Sequence, residues 1–362
     1  MENELIKLKE IINEIEDVNK ETIIEAEKRM ISLAKPPNSL GKLEDISIKL
    51  AGITGKVKNT LNKKLVIIMC SDNGVVEEGV ASSPQSVTLA QTINFTKGLT
   101  GVAVIAKANN TDLKVIDVGI NCDFSHPEVI DRKIRKSTNN IAKGSAMTYE
   151  EAVKGILIGI EAVCAAKGEG YEILGVGEMG VGNTTTSSAV LSALTGARVE
   201  DVVGRGAGLT DEGLEKKVRV VKKAIKINNP KKEDPIDVLS KLGGFDMAAM
   251  AGVFLGAARY KIPVVIDGFI SVIAALIAYR LNNKCRDYMF TSHCSKEIGF
   301  VLGMKELNLS PFLDLNMGLG EGSGCPIAFS VIDTACAVMN NMATFSEAEI
   351  DDSYLDKLKK KI

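Results

Sequence analysis

The first fifty residues have the spacing of amphipathic helices. Apolar side chains recur three and four positions apart, at Leu5, Leu8, Ile11, Ile12 and Ile15. This is the period of one helix face, and such a face must pack against another part of the chain. Pro36 and Pro37 then end the helical stretch. The amino-terminal segment is therefore predicted to be helical.

The pattern changes after this segment. Short apolar runs that end in polar or glycine-rich loops alternate with helical stretches; the runs are KLVIIMCSDNG, LKVIDVGIN, YEILGVGEMGVG, IPVVIDGF and DYMFTSH. Parallel strands joined by helical crossovers produce this alternation, so we predict an α/β fold with a doubly wound sheet covered on both faces. Ligands of such sheets bind beyond the carboxyl ends of the strands. The loops after the runs should therefore hold the functional site.

Composition indicates a globular protein that acts on a small molecule. Of the 362 residues, 45% are hydrophobic and 25% are charged, so the chain can bury a large core in one or two domains. Its 44 basic residues nearly balance its 46 acidic ones, which leaves no strong positive field to hold nucleic acid. We expect a small-molecule substrate and no nucleic-acid partner.

No segment has the pattern of an export signal or a membrane span. The start alternates charged with apolar residues, whereas a signal peptide needs an uninterrupted apolar stretch. The most apolar stretch, residues 262–279, contains Asp267 and Gly268 at a strand-to-helix break, which is typical of a buried core. We expect a cytoplasmic protein without a membrane partner.

Cysteines and histidines do not suggest a metal site. The seven cysteines form no C-x-x-C pair, a pattern that fits reduced thiols better than a disulfide framework or a zinc site. The two histidines, His126 and His293, have no accompanying ligand cluster. We expect no metal and no cofactor.

The loop GVGEMGVGNTTTSS is the strongest candidate for binding phosphate. Its glycines allow a close approach of the backbone, and the helix that follows offers unpaired N–H groups. Gly175, Gly177 and Gly180 satisfy G-x-G-x-x-G, but Asn183 stands where a phosphate-binding P-loop has lysine. A nucleoside triphosphatase is therefore excluded, while a dinucleotide site and a glycine-rich turn required only for packing both stay open.

A second loop, MGLGEGSGCP, places Glu321 between two glycines just before an apolar helix. A carboxylate partly removed from water suits a general base. An acidic residue that merely stabilises a helix start would look the same. Spacing alone leaves these two interpretations even.

Polar residues after other runs are weaker candidates. Asp72 follows the first run and Asp267 follows IPVVI, although aspartate also favours simple turns. Asp267 lies near the crevice expected beyond the strand ends. His293 is more simply explained as a structural residue.

These loops together resemble one family over nearly the whole chain. The matching segments are KPPNSLGKLE, SDNGVVEEGV, GEMGVGNTT, GRGAGL, GGFDMAAMAG, IPVVIDGFIS, TSHCSKEIG, LGEGSG and NNMATF. They are similar to the nicotinate-nucleotide:dimethylbenzimidazole phosphoribosyltransferases. That family moves phosphoribose from nicotinate mononucleotide to a benzimidazole, releasing nicotinate and giving α-ribazole phosphate for the lower ligand of cobalamin.

The resemblance also implies an architecture. It predicts a Rossmann-like α/β catalytic domain over residues 51–339 and a small helical part from residues 1–50 and 340–362. It further predicts a homodimer. The basic tail LDKLKKKI is expected to be a solvated helix end.

Site residues follow from the same resemblance, position by position. Glu321 matches the general base, and Glu178 matches a second carboxylate of the active site. The predicted substrate-binding residues are Asp72, Ser83, Gln85, Met179, Gly180, Gly182, Asn183, Thr184, Lys217, Asp267, Ser295, Leu319 and Gly320. Ser295 could reach the site from the other subunit.

Three features depart from the family pattern or leave it ambiguous. Asn73 replaces the usual histidine of a DHG motif, so no role that needs an ionisable ring can lie there. GCPIAF replaces the more usual GAALA after the base loop, a change that could alter the base pocket. Lys216 is adjacent to Lys217, so either lysine could be the nucleotide contact.

The chemistry agrees with a single base. Nicotinate leaves the ribose without needing a proton, whereas the incoming benzimidazole must lose one, which a carboxylate can accept. Two other functions stay open: an NAD-dependent oxidoreductase that uses Gly175 to Gly180, with Asp201 as ribose partner, and a noncatalytic nucleotide sensor. The sequence leaves open which benzimidazole or related base is the acceptor.

Overall fold

A computed structural model describes residues 2–355 of the chain. Its sheet contains β1 Lys64–Ser71, β2 Asp112–Gly119, β3 Val129–Asp131, β4 Ile173–Met179, β5 Val264–Ile266 and β6 Met289–Thr291. The strand order is β3-β2-β1-β4-β5-β6, and every neighbouring pair is parallel. This is the doubly wound Rossmann order. The predicted fold class is confirmed.

Helices connect the strands and cover the sheet. They are α1 Glu2–Asn13, α2 Lys20–Ser32, α3 Lys42–Thr54, α4 Ser86–Thr96, α5 Gly101–Ala108, α6 Tyr149–Gly168, α7 Asn183–Thr195, α8 Asp211–Asn228, α9 Pro235–Leu242, α10 Phe245–Arg259, α11 Phe269–Leu281, α12 Gly299–Leu307 and α13 Gly324–Asn341. Short 3-10 helices span Gly74–Glu78, Val199–Asp201, Asn283–Tyr288 and Ser353–Leu355. Local sequence determines where α6 begins, because Thr148 and Glu151 form a capping box at its amino terminus.

The sequence of β1 explains its central position. Residues 65–71 are all buried, and the run is continuously apolar because both faces of a parallel sheet are covered by helices. β1 pairs with β2 on one side and β4 on the other. From β1 the chain continues outward to β2 and β3, and from β4 it continues outward in the opposite direction to β5 and β6. A crevice therefore opens at the carboxyl ends of β1 and β4.

Strand β3 was not predicted from the sequence. β3 has only three residues, and two of them are exposed. It follows a loop that contains Pro127. Three residues are too few to show a strand period, so only the pairing with β2 identifies it.

Helices α2 and α3 pack against the end of α13 in a second, smaller apolar cluster. Ala26, Met30 and Leu33 pack with Ala51 and Met339 in a small apolar cluster. In the same region, residues 33 and 344 form an antiparallel bridge. Helix α1 belongs instead to the main core. The division into residues 1–50 with 340–362 and 51–339 stays a prediction, and most of the basic tail lies outside the described residues.

The most apolar stretch, residues 262–279, is interior structure. β5 ends at Ile266, the chain turns at Asp267, and α11 follows with nine of its 13 residues buried. Over residues 2–355, no helix is long and apolar enough to cross a membrane.

Candidate active site

A cleft of about 370 Å³ lies at the carboxyl ends of the central strands. It is bordered by the loops after β1, β4, β5 and β6 and by the loop before α13. Most of the predicted site residues line it: Ser83, Glu178, Met179, Gly180, Gly182, Asn183, Thr184, Asp267, Ser295, Leu319, Gly320 and Glu321. Ser295 lines the cleft of its own chain.

Three separate elements hold the Glu321 side chain at this cleft. Gln91 Nε2 on α4 donates to Oε1 at 2.9 Å, and the Val102 N–H donates to Oε2 at 3.2 Å. Val102 lies in the first turn of α5, where the helix dipole favours a negative charge. The Glu321 backbone N–H donates to Glu178 Oε1 at 3.2 Å. The Glu321 carboxyl is therefore fixed in position and partly buried.

The backbone at Glu321 is left-handed, with φ of +68°. Side-chain-bearing residues rarely adopt this conformation, and surrounding contacts must maintain it. A Cβ on Gly177 would collide with the Glu321 carbonyl oxygen, so this glycine allows the loop to lie directly on β4. Gly175 likewise allows close packing, because a Cβ there would collide with the Cys325 side chain.

This packing role disfavours the dinucleotide hypothesis. Gly175 and Gly177 lie inside β4, not in a loop that could surround a pyrophosphate. Asp201, the proposed ribose partner, is exposed and lies 3.7 Å from Arg198, and it does not line the cleft. The G-x-G-x-x-G match is explained by close packing.

The glycine loop after β4 ends in a helix start. Gly182 is the N-cap of α7, and its φ of +93° is a conformation that favours glycine. Lys217 on α8 is buried beside this loop, where its Nζ donates to Thr184 Oγ1 at 2.9 Å and to the Gly204 carbonyl at 3.0 Å. Burial lowers the pKa of Lys217 to about 8.

The neighbouring lysine points elsewhere. Lys216 is exposed, and its Nζ is 2.8 Å from the position that a Cβ on Gly79 would occupy. Only Lys217 of this pair therefore contacts the glycine loop.

Below the loop, two buried carboxyl groups share one amide. Asn183 Nδ2 donates to Glu178 Oε2, and it also donates to Asp246 Oδ2 at 3.2 Å. Burial raises the pKa of Glu178. Burial and, secondarily, the charge of Glu178 raise the pKa of Asp246 to about 7.

Asp246 was not singled out from the sequence. It lies in the matching segment GGFDMAAMAG, but an acidic residue in the first turn of a helix is ordinary. Gln91 was missed as well, because nothing in the sequence of α4 indicates that its amide reaches Glu321. Both residues are identified by hydrogen bonds to segments far away in the chain, Gln91 to Glu321 and Asp246 to Asn183.

Asp267, at the end of β5, forms hydrogen bonds with the loop that carries Glu321. Its Oδ2 accepts from the Gly322 N–H at 3.0 Å, and its Oδ1 accepts from the Gly324 N–H at 2.7 Å. Burial raises the pKa of Asp267 well above its usual range. His293 Nδ1 lies 3.8 Å from Asp267 Oδ1, and burial lowers the pKa of the imidazole. His293 does not line the cleft.

Three predicted site residues do not line the cleft. Lys217 is buried and contacts the lining residue Thr184, whereas the other two lie away from the cleft. Asp72 is buried, and its Oδ2 accepts from the Asn121 N–H at 2.8 Å. Gln85 lines a neighbouring, wider cleft of about 1130 Å³, where its Oε1 accepts from Asn121 Nδ2 at 2.9 Å. Asn73, in the position of the family's histidine, is fully buried beside Gly180.

Residues 2–355 contain no group of three or more side chains that could hold a metal ion. The cleft instead combines a glycine loop at a helix start, a nearby lysine and an anchored carboxylate. On a doubly wound sheet, these features are typical of an α/β enzyme whose substrate is an anionic small molecule and whose reaction uses a general base.

Comparison with known proteins identifies the family. A family model described as "Phosphoribosyltransferase" matches residues 15–350. A relative from Clostridium perfringens is 62% identical over 352 residues, covering 97% of this chain and 98% of its own. Another from Ruminiclostridium cellulolyticum is 54% identical over 342 residues, covering 94% of this chain and 97% of its own. Both are named nicotinate-nucleotide–dimethylbenzimidazole phosphoribosyltransferase.

A solved structure agrees with these relatives. The crystal structure of CobT from Thermus thermophilus matches with a TM-score of 0.89 and 39% identity, covering 92% of this chain and all of that one. The chain belongs to the nicotinate-nucleotide–dimethylbenzimidazole phosphoribosyltransferase family. The resemblance found in the sequence is thereby confirmed, and the chain is a phosphoribosyltransferase.

Proposed function

We propose that this chain transfers phosphoribose from nicotinate mononucleotide to 5,6-dimethylbenzimidazole or a related base, in the assembly of the cobalamin nucleotide loop. The products are nicotinate and α-ribazole 5′-phosphate. One observation carries the proposal: a single cleft contains both a helix start suited to phosphate and an anchored carboxylate suited to a base. The names of the relatives supply the substrates.

The nucleotide phosphate binds at the start of α7. The Asn183 and Thr185 N–H groups of its first turn donate to the carbonyls of Gly180 and Gly182, so the attraction for an anion comes from the positive end of the helix dipole and from the N–H groups that remain. The ammonium group of Lys217 is within hydrogen-bond distance of Thr184, so it adds a positive charge at the same place. The phosphate anchor fixes the ribose relative to the rest of the cleft.

Glu321 accepts the proton of the incoming base. One nitrogen of the benzimidazole attacks the anomeric carbon while the other loses its proton to the carboxylate. The bond to nicotinate breaks with its electron pair returning to the ring nitrogen, which loses its formal positive charge. The leaving group therefore needs no acid, unlike the oxygen leaving groups of glycosidases.

Glu178 contributes negative charge and position. It lines the cleft and accepts the backbone N–H of Glu321. A carboxylate facing the cleft stabilises the positive charge that develops on the ribose as nicotinate leaves. Attack from the face opposite nicotinate converts the β-nucleotide to the α-product in one displacement.

Incubation of the protein with nicotinate mononucleotide and 5,6-dimethylbenzimidazole tests the proposal. Chromatography with mass detection should show nicotinate and the new nucleotide in equal amounts, and only when the base is present. Folded protein that binds the mononucleotide but forms neither product would contradict the proposal and favour a nucleotide sensor. We further propose that the protein is cytoplasmic and forms a homodimer. Light scattering tests the homodimer through the molar mass in solution.

A further inference from the structure

Asp246 is a fully buried carboxyl group that the proposed chemistry does not use. It lies in the first turn of α10, and its Oδ2 accepts from Asn183. Over residues 2–355 no donor makes a well-formed hydrogen bond to its Oδ1, although the nearby N–H groups of Met247 and of Asp246 itself favour its charged form. A buried carboxylate without a cation or a full set of donors is costly to keep charged.

Glu178, its neighbour across the Asn183 amide, differs in this respect. Both Glu178 oxygens accept N–H groups, one from the Glu321 backbone and one from Asn183. Two buried carboxyl groups so close together are not both ionised easily. The hydrogen bonds favour the charged form of Glu178, so the proton of the pair belongs on Asp246.

The surroundings of Asp246 Oδ1 offer a place for that proton. A Cβ on Gly244 would collide with Asp246 Oδ1 and would lie 2.6 Å from Asn73 Oδ1, so both oxygens border this glycine. Asn73 Oδ1 also lacks a donor. Asn73 Nδ2 is without a partner too, so this buried region has unsatisfied acceptors on both residues. A proton on Asp246 Oδ1 would provide a donor for the Asn73 oxygen.

We propose that Asp246 is a positioning residue that acts as an uncharged acid, with its proton on Oδ1 directed at Asn73 and its Oδ2 holding Asn183. Asn183 in turn holds Glu178 as the charged member of the pair. Glu178 fixes the backbone of the proposed base, Glu321. This role rests on the proposed phosphoribosyl transfer, whereas the protonation state of Asp246 does not.

The groups that face Asp246 support the assignment. Glu178 on β4 and the Cys70 thiol on β1 are the titratable neighbours that interact with it. The N–H groups at the start of α10 lower its pKa, but burial, the largest cause, raises it, and the net direction is upward. Because burial raises the pKa of folded Asp246 to about 7, the acid holds its proton below that pH and is half ionised near it.

Replacement by asparagine and by alanine separates the possible roles. In Asp246→Asn, the amide oxygen can accept from Asn183 and the amide nitrogen can donate to Asn73, as the uncharged acid does. We expect kcat within about threefold of wild type for Asp246→Asn and at least about tenfold lower for Asp246→Ala, with KM for the nucleotide little changed in both. Equal defects in the two variants would overturn the uncharged acid, and full activity of Asp246→Ala would overturn the positioning role.

Asp117 provides a matched control, because it is a buried aspartate with donors on both oxygens. Gly119 and Ile120 donate to its Oδ1, and Lys133 lies 3.1 Å from its Oδ2. Asp117→Asn puts an amide nitrogen against these donors, so it should lower Tm at pH 7. Asp246→Asn should keep Tm at pH 6 and lose less stability than wild type between pH 5 and 8, since it cannot ionise.

Infrared difference spectra give a readout that needs neither activity nor the alanine variant. The wild-type minus Asp246→Asn spectrum should contain a protonated carboxyl band at pH 6 that fades as pH rises through about 7. A carboxylate band at pH 6 would overturn the assignment even if transfer is normal. If wild type transfers no phosphoribose, the proposed function fails, but this spectrum still decides the state of Asp246.

Discussion

The cleft has two ends that differ in how they are formed, a phosphate end at the start of α7 and a base end at Glu321. At the phosphate end, one contiguous segment, Gly180 to Thr184, offers its backbone and a helix start, and the Lys217 ammonium group donates to Thr184. At the base end, Glu321 is held by contacts from α4, α5 and β4, all of which are more than a hundred residues from Glu321 along the chain. The first arrangement suits binding of a ground-state anion. The second suits accurate placement of one reacting group.

This difference predicts that variants at the two ends change different kinetic constants. Damage at the base end should lower kcat, because the proton is transferred only during reaction. Damage at the phosphate end should raise KM for the nucleotide, since the phosphate is bound throughout the reaction.

Glu321→Gln should have the largest effect. The amide keeps the shape of the side chain but cannot accept the proton, so kcat should fall by roughly two to four orders of magnitude. The affinity for nicotinate mononucleotide, measured by calorimetry, should stay near the wild-type value. Glu233→Gln, at an exposed glutamate in the loop before α9, is the matched control and should leave both quantities unchanged. A loss of kcat below about tenfold would remove Glu321 from the role of base.

Gly177→Ala should come next. The added methyl group collides with the Glu321 carbonyl oxygen, and displacement of a reacting group by about 1 Å costs on the order of a hundredfold in rate. Overpacking should also destabilise the fold by about 1–3 kcal/mol, which a denaturant titration measures. Gly168→Ala is the control, because a Cβ there meets nothing within 4 Å. Normal kcat in Gly177→Ala would show that the loop tolerates displacement.

Lys217→Met should act on the nucleotide. Loss of a charge-assisted hydrogen bond of about 1.5–3 kcal/mol should raise KM for nicotinate mononucleotide by roughly 10- to 150-fold. Burial lowers the pKa of Lys217 to about 8, so the cation is present below that pH. Wild-type kcat/KM for the nucleotide should therefore fall as pH rises through about 8.

The pH profile of Lys217→Met should be flat over that range. Lys216→Met is the control, since its exposed side chain lies beside Gly79. Equal effects of the two lysine variants would contradict the assignment of Lys217 to the phosphate end.

Gln91→Met should have the smallest effect of the four. It removes one donor from the Glu321 carboxyl and leaves the one from Val102 in place. A hydrogen bond to a charged group is worth about 1.5–3 kcal/mol at most, and the remaining donor should limit the loss of kcat to about tenfold. Steady-state kinetics with saturating nucleotide measures it, and a loss as large as that of Glu321→Gln would mean that α4 does more than orient the base.

The same contrast explains how far the sequence could be interpreted. Five of the six strands were predicted because each is a compact apolar run, and the glycine loop was visible because its parts are contiguous. Gln91 and Asp246 were missed because their functions depend on contacts with segments far along the chain. Ser83 and Gln85 are two residues apart but line different clefts, because Pro84 and the start of α4 turn the chain between them.

A substrate that has no proton to lose tests the central claim most directly. An acceptor methylated on one ring nitrogen, 1,5,6-trimethylbenzimidazole, can attack through the other nitrogen but gives Glu321 nothing to accept. Rates of nicotinate release should be compared for wild type and Glu321→Gln with this acceptor and with 5,6-dimethylbenzimidazole. If Glu321 is the base, the large difference between the two proteins should disappear with the methylated acceptor. An equally large difference with both acceptors would show that Glu321 positions substrate and does not accept a proton.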